Sequence, residues 1–193
     1  MNSIIGIFYK PSETFDYLDD QYADELEANC NLIFASIGAI NGLQVYFEVA
    51  HLLADLTLGA KILVALVIVL FSAGIGLFVG KYLVTYLLYG MGRLLNGKGE
   101  VIDIRVVTAY ALLPNVIRLP QILYGGLTHK YNLPVDPGIQ AVSFLSLVVS
   151  VWTLIILIKG LMRFNKYGIL KAFINISPLM ALGLLRIFMG VLE

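Results

Sequence analysis

One cysteine, two histidines and 13% charged residues are all that this 193-residue chain offers to the usual chemistries of soluble proteins. Cys30 alone excludes an internal disulfide and any site built from several thiolates. The charge is about half the roughly 25% of a soluble domain, while 59% of the residues are hydrophobic and the mean hydropathy is +0.86. A water-soluble domain of this length leaves much of its surface exposed, and has no interior large enough for that apolar excess. Lysine and arginine balance aspartate and glutamate at 13 each, so no basic field points to nucleic acid. Catalytic signatures are missing as well. There is no HExxH and no Gly-x-Ser-x-Gly, and "NGKGE" (96–100) lacks the leading glycine and the Ser/Thr of a phosphate loop. It reads as a turn between helices, and the expectation is a non-enzyme without cofactor. "MNSIIGIFYKPSETF" has no basic leader, long apolar stretch and small-residue cleavage site, so the first span is expected to act as the insertion signal.

What is present is hydrocarbon in span-length runs. A bilayer core about 30 Å thick needs roughly 20 apolar residues of helix. Five runs qualify: 30–47, 62–80, 104–125, 141–159 and 169–190. The sequence therefore predicts an all-α integral membrane protein, a five-span domain over 30–193. The second run continues past Lys81 with Thr85, Tyr89, Arg93 and Asn96 at intervals of three and four, which places them on one helix face. Two readings stay open there: a long helix projecting past the inner surface, or a tilted one with a snorkelling Lys81.

Residues 1–29 are a different material. Phe15, Leu18, Tyr22 and Leu26 recur at helical spacing, and seven acids from Glu13 to Glu27 oppose the single Lys10. That is an amphipathic helix with an acidic outer face. Membrane-surface helices are ordinarily basic, because the inner leaflet is anionic. This one is expected to dock its apolar stripe on the protein's own spans or on a basic partner. Nine cations (Lys10, Lys81, Arg93, Lys98, Arg105, Lys159, Arg163, Lys166, Lys171) fall on one side of the predicted membrane, against Lys61, Arg118, Lys130 and Arg186 on the other. The bias puts the N-terminus in the cytoplasm and the C-terminus outside.

Two small-residue patterns, Gly38/Gly42 and Gly76/Gly80, would let helix backbones approach closely. They serve either packing between spans of one chain or a homo-oligomer. "AYALLPNVIRLP" (109–120) sets Pro114, Asn115, Arg118 and Pro120 inside a span. Pro114 removes a hydrogen bond to the carbonyl of Tyr110 and predicts a kink against neighbouring helices. Arg118 and Arg186 fall at matching depth near the outer end, where Gln44 and Glu48 also lie. Intramembrane charges are costly unless paired, hydrated or snorkelling. These four residues make a candidate polar pocket for an anionic group, with simple Glu48–arginine pairing as the plainer reading. A metal site from His51 and Asp55, with His129 as third ligand, is a weaker alternative.

Three segments together resemble the Yip-type family of membrane proteins, named for interaction with Ypt/Rab GTPases: "FYKPSETF" (8–15), "NGKGEVIDIRVVTAYALLP" (96–114) and "VWTLIILIKGL" (151–161). The resemblance covers essentially the whole chain. It implies five α-helical spans with a cytoplasmic N-terminus, and in eukaryotic relatives work in vesicle traffic. The longer cytoplasmic arm of those relatives, with its Asp-Leu-x-Gly-Pro element, has no counterpart here. The compact chain resembles a bacterial branch, expected in the inner (cytoplasmic) membrane, and that trafficking role is not carried over. The functional expectation is a membrane adaptor or organising protein. A transporter, channel or lipid-handling protein using the outer polar pocket is the alternative. A transport path strings polar residues through the full depth, whereas here the inner half offers only Asn31, Thr85, Thr108 and Asn175 and no acid.

Overall fold

A computed structural model describes the backbone of residues 3–20, 23–131 and 138–191, and the side chains of 4–20, 24–126 and 144–182. The described residues form helices and no strand: α1 (Ser3–Tyr9), α2 (Pro11–Asp19), α3 (Ala23–Val49), α4 (Leu58–Phe78), α5 (Thr85–Leu94), α6 (Val101–Leu112), α7 (Leu119–Tyr131), α8 (Gly138–Asn165) and α9 (Ile169–Val191). Four helical stretches are long and apolar enough to cross a bilayer: Asp24–Leu53, Leu58–Leu94, Val101–Gly126 and Phe144–Asn165. A shorter apolar helix covers Ile169–Leu182, and its backbone continues to Val191. The protein is an all-α, multi-pass membrane protein.

The predicted N-terminal helix is divided in two. α2 ends at Asp19 with Asp20 as its cap, and α3 starts at Ala23 with Asp24 and Glu25 in its first turn. Acids are unfavourable at a helix C-terminus and favourable at an N-terminus, which places the break among these residues. Ala23–Asn29 therefore belong to the first spanning helix, not to a separate surface element. Phe15, Leu18 and Leu26 of the apolar stripe are buried; Tyr22 lies outside the described residues. The segment docks on the protein's own spans. Ile5 and Phe8 line a cleft with Pro114, Val149 and Trp152, and the Phe15 ring meets Phe164 edge-on at 5.9 Å. Gly160 sits where α2, α6 and α8 converge: a Cβ there would come within 2.6 Å of Val107 and 2.9 Å of Phe15. α1 and α2 thus run along α8 in the same direction as it.

α3 and α4 cross antiparallel, and all four predicted packing glycines lie at that crossing. A Cβ on Gly76 would lie 2.6 Å from the Cα of Gly38, one on Gly42 would lie 2.8 Å from the Cβ of Ser72, and one on Gly80 would overlap the Phe34 ring. Such contact is the main source of helix association in lipid, where hydrophobic exclusion is absent. Beyond Gly80 the second span makes a π-helical turn, Val79–Val84. The Gly80 carbonyl accepts the Thr85 N–H across the widened turn, and the Thr85 hydroxyl donates to the same oxygen at 2.7 Å. The helix then continues to Leu94 without a break.

At Pro114 the third span tightens into a 3-10 segment, Leu113–Arg118. The carbonyl of Tyr110, which loses its partner to Pro114, accepts the Leu113 N–H through the tightened turn. The Asn115 amide donates to the Leu112 carbonyl at 3.1 Å and reaches the Thr153 hydroxyl at 3.4 Å. Asn115 thus mends the broken ladder, and ties the third span to the fourth.

Candidate functional site

The polar side chains gather at one end of the bundle. Lys81 Nζ donates to Glu27 Oε1 at 2.7 Å, and Arg105 Nη1 lies 3.1 Å from the same oxygen. Three elements meet in that carboxylate: the first turns of α3, the π turn and the first turns of α6. Lys81 and Arg105 are largely buried, whereas Glu27 is 42% exposed. The carboxylate removes the cost of holding two cations in an apolar setting, and exchanges with water only on its outer side. Lys81 thus ends on Glu27, and the helix that carries it runs on to Leu94.

A pair of acids, Asp16 and Asp19, holds the N-terminal helix. Arg163, near the end of α8, donates from Nε to Asp16 and from Nη2 to Asp19 at 3.2 Å. Both pairs are open to solvent, so the latch is salt-sensitive. Asp20, Asp24 and Glu25 are exposed and take no ion-pair partner among the described residues.

The glycine loop wraps a third polar node. Asn96, at φ 61°, closes α5: Gly97 N–H donates to the Gly92 carbonyl at 2.8 Å and Asn96 N–H to the Arg93 carbonyl at 3.1 Å. These two bonds and the left-handed Asn96 make a Schellman closure. Gly97 has no room for a side chain, because the buried Asn165 amide lies against it. The Asn165 carbonyl accepts from Lys98 N–H, and the amides of Asn165 and Asn175 donate to the Tyr167 hydroxyl at 3.3 and 2.6 Å. Burial pushes the Tyr167 phenol above its ordinary pKa, outweighing the two amides that lower it, so it remains a neutral acceptor at physiological pH. α6 opens on a reciprocal cap between Glu100 and Asp103. The turn expected over 96–100 is a packed junction of α5, α8 and α9.

At the other end the expected pocket does not assemble from its described members. Gln44 donates to Glu48 at 2.9 Å, and Glu48 forms no ion pair with Arg118. Arg118 is half-buried, and its Nε is buried without a hydrogen-bond partner among the described residues. The side chain of Arg186 lies outside the described residues, as does that of His129. His51 Nδ1 lies 3.0 Å from the Glu48 carbonyl, and among the described residues no three His, Cys, Asp or Glu side chains come together.

Glu27, Lys81, Arg105 and Arg163 enter the sequence reading only as members of a charge tally or a polar stripe. The node of Asn165, Tyr167 and Asn175 gives no local signal, since its members meet through the glycine loop. No curated protein and no solved structure matches the chain. The family model of the Yip1 domain does, over residues 5–190. That match starts within α1 and ends within α9, so it takes in the helix latched on Arg163, the glycine junction and the kinked third span, and the chain belongs to the Yip1 domain family.

Proposed function

We propose that the protein is a non-enzymatic membrane adaptor that crosses the bacterial cytoplasmic membrane five times, with its N-terminus in the cytoplasm and its C-terminus outside. One observation carries the reading: polar groups of the bundle are used on one another at one of its ends. Glu27 binds Lys81 and Arg105, Asp16 and Asp19 bind Arg163, and the asparagines close on Tyr167. A solute path needs polar groups through the full depth; this distribution instead suits a rigid platform. What the platform leaves free is the acidic edge of Asp20, Asp24 and Glu25, a surface suited to a basic partner segment. Membership of the family supports a membrane role, and the Lys/Arg bias supports the orientation.

The experiment is photo-crosslinking in native membranes from a probe at Asp20 or Glu25. The expected result is a defined protein adduct that disappears when Asp20, Asp24 and Glu25 are all changed to lysine. Solute flux through the purified protein in vesicles, without any such adduct, would instead support a transporter.

A further inference from the structure

A half-open cavity of about 380 Å³ lies between α3, α4, the π turn, α5, α6, α8 and α9. We propose that it is a binding site for one acyl chain of a bilayer phospholipid. The inference stands apart from the adaptor reading, and either can fail without the other.

The shape comes first. Phe34 faces Gly80 across the α3–α4 crossing, and the cavity extends from there to Asn41 in one direction and Leu88 in the other. At 1.5 Å per residue those two arms span about 20 Å. The space is long and slender, which fits a hydrocarbon tail and not a compact metabolite. Gly38, Gly76 and Gly80, with the π turn beside them, form part of its wall.

The chemistry of the wall selects the same occupant. Val84, Ala111, Leu157 and Leu179 are typical of it, and only Asn41, Thr108 and Thr153 are polar. The Thr108 hydroxyl is already satisfied by the Ile104 carbonyl at 2.7 Å, and Thr153 accepts from Asn115. Water needs two to four polar partners to stay in a cavity, and this one offers few: beside what the two threonine hydroxyls leave unused there is the Asn41 amide, exposed on the wall with no hydrogen-bond partner among the described residues. An unfilled space would forfeit dispersion contacts along its whole lining, and an unpaired amide in hydrocarbon is costly. A phospholipid meets both demands. Its chain fills the slot toward Leu88, and an ester carbonyl at the Asn41 end accepts from the amide.

The test reconstitutes the full chain in phosphatidylcholine vesicles containing a phosphatidylcholine with a diazirine at the end of one acyl chain. After illumination, adducts are mapped by peptide mass spectrometry. The expected adducts fall on Val84 and Leu88 as well as on the exposed residues Leu66 and Leu70 of α4, which report ordinary surrounding lipid. Ala111→Phe should fill the slot and abolish the inner adducts while those on Leu66 and Leu70 persist. If that variant does not fold, Leu157→Trp is judged by the same criterion. Absence of inner adducts in the native chain, or their persistence in a folded, filled variant, overturns the site. A second arm uses the free diazirine fatty acid; inner labelling by it alone would overturn the assignment to phospholipid.

Discussion

The Glu27 carboxylate and the Lys81 ammonium, 54 positions apart in the chain, meet at 2.7 Å where the first span and the π turn of the second run side by side. Arg105 joins the same oxygen at 3.1 Å. Removing the acid leaves two cations facing each other in a largely buried setting. Glu27→Gln should lower thermal stability in detergent by about 1–3 kcal/mol, less than the 3–5 kcal/mol of a fully buried pair because one side is open to water. Adding Lys81→Met should recover part of the loss, since the stranded charge goes with it. A silent Glu27→Gln would mean that the cluster is a surface accident.

The Gly38–Gly76 crossing makes a prediction with an internal control. Gly76→Leu must force α3 and α4 apart, and overpacking of this kind costs about 1–3 kcal/mol. Gly74, two residues away on the same helix, has nothing within 4 Å of the point where a Cβ would sit, so Gly74→Leu should leave the melting temperature in place. Equal effects at the two positions would show that lipid, and not α3, lies against Gly76.

These two clusters mark how much is legible in the sequence. Helix-forming apolar runs and glycines four apart carry their meaning locally, so the spans and the α3–α4 contact can be read from spacing. Pro114 announces its kink for the same reason, because a missing N–H acts on its own turn. Glu27 cannot be matched to Lys81 and Arg105, since each is an ordinary charge until the helix register aligns them. The N-terminal helix reads as one piece because the periodicity of its apolar residues outweighs the acids at 19–20 and 24–25, which set the break. Gly160 carries no such signal, because its use depends on two other helices arriving at the same point.

The latch on Arg163 should be weak and tunable. Its ion pairs are solvent-exposed, each in the range of about 0–1 kcal/mol and screened by salt. Arg163→Ala should therefore barely move the melting temperature, yet raise hydrogen exchange over α2. High salt should reproduce the effect in the native chain. Unchanged exchange in both cases would mean that Phe15 and Leu18, buried on α8 and its neighbours, hold the helix alone.

Orientation is tested by cysteine labelling in a Cys30→Ser background. A cysteine replacing Lys98 should be protected from an impermeant reagent added outside, and one replacing Glu193 should label. The reverse pattern would overturn the orientation drawn from the lysine and arginine bias.

Arg118 offers the sharpest choice between the two readings of its end of the bundle. A guanidinium cannot shed its proton to enter hydrocarbon, so in a paired site its loss strands an acid. Here Glu48 is exposed and already takes a hydrogen bond from Gln44, and the buried Nε of Arg118 has no acceptor among the described residues. A buried donor without a partner is a cost, and its removal by a side chain of similar shape relieves that cost. Arg118→Met should therefore leave the melting temperature unchanged or raise it. In the double-mutant cycle with Glu48→Gln the coupling should fall within the roughly 0.3–0.5 kcal/mol of independent sites. A marked loss of stability in Arg118→Met, recovered by adding Glu48→Gln, would restore the paired pocket. The same cycle with Arg186→Met separates the two arginines, because only the true partner of Glu48 can couple to it.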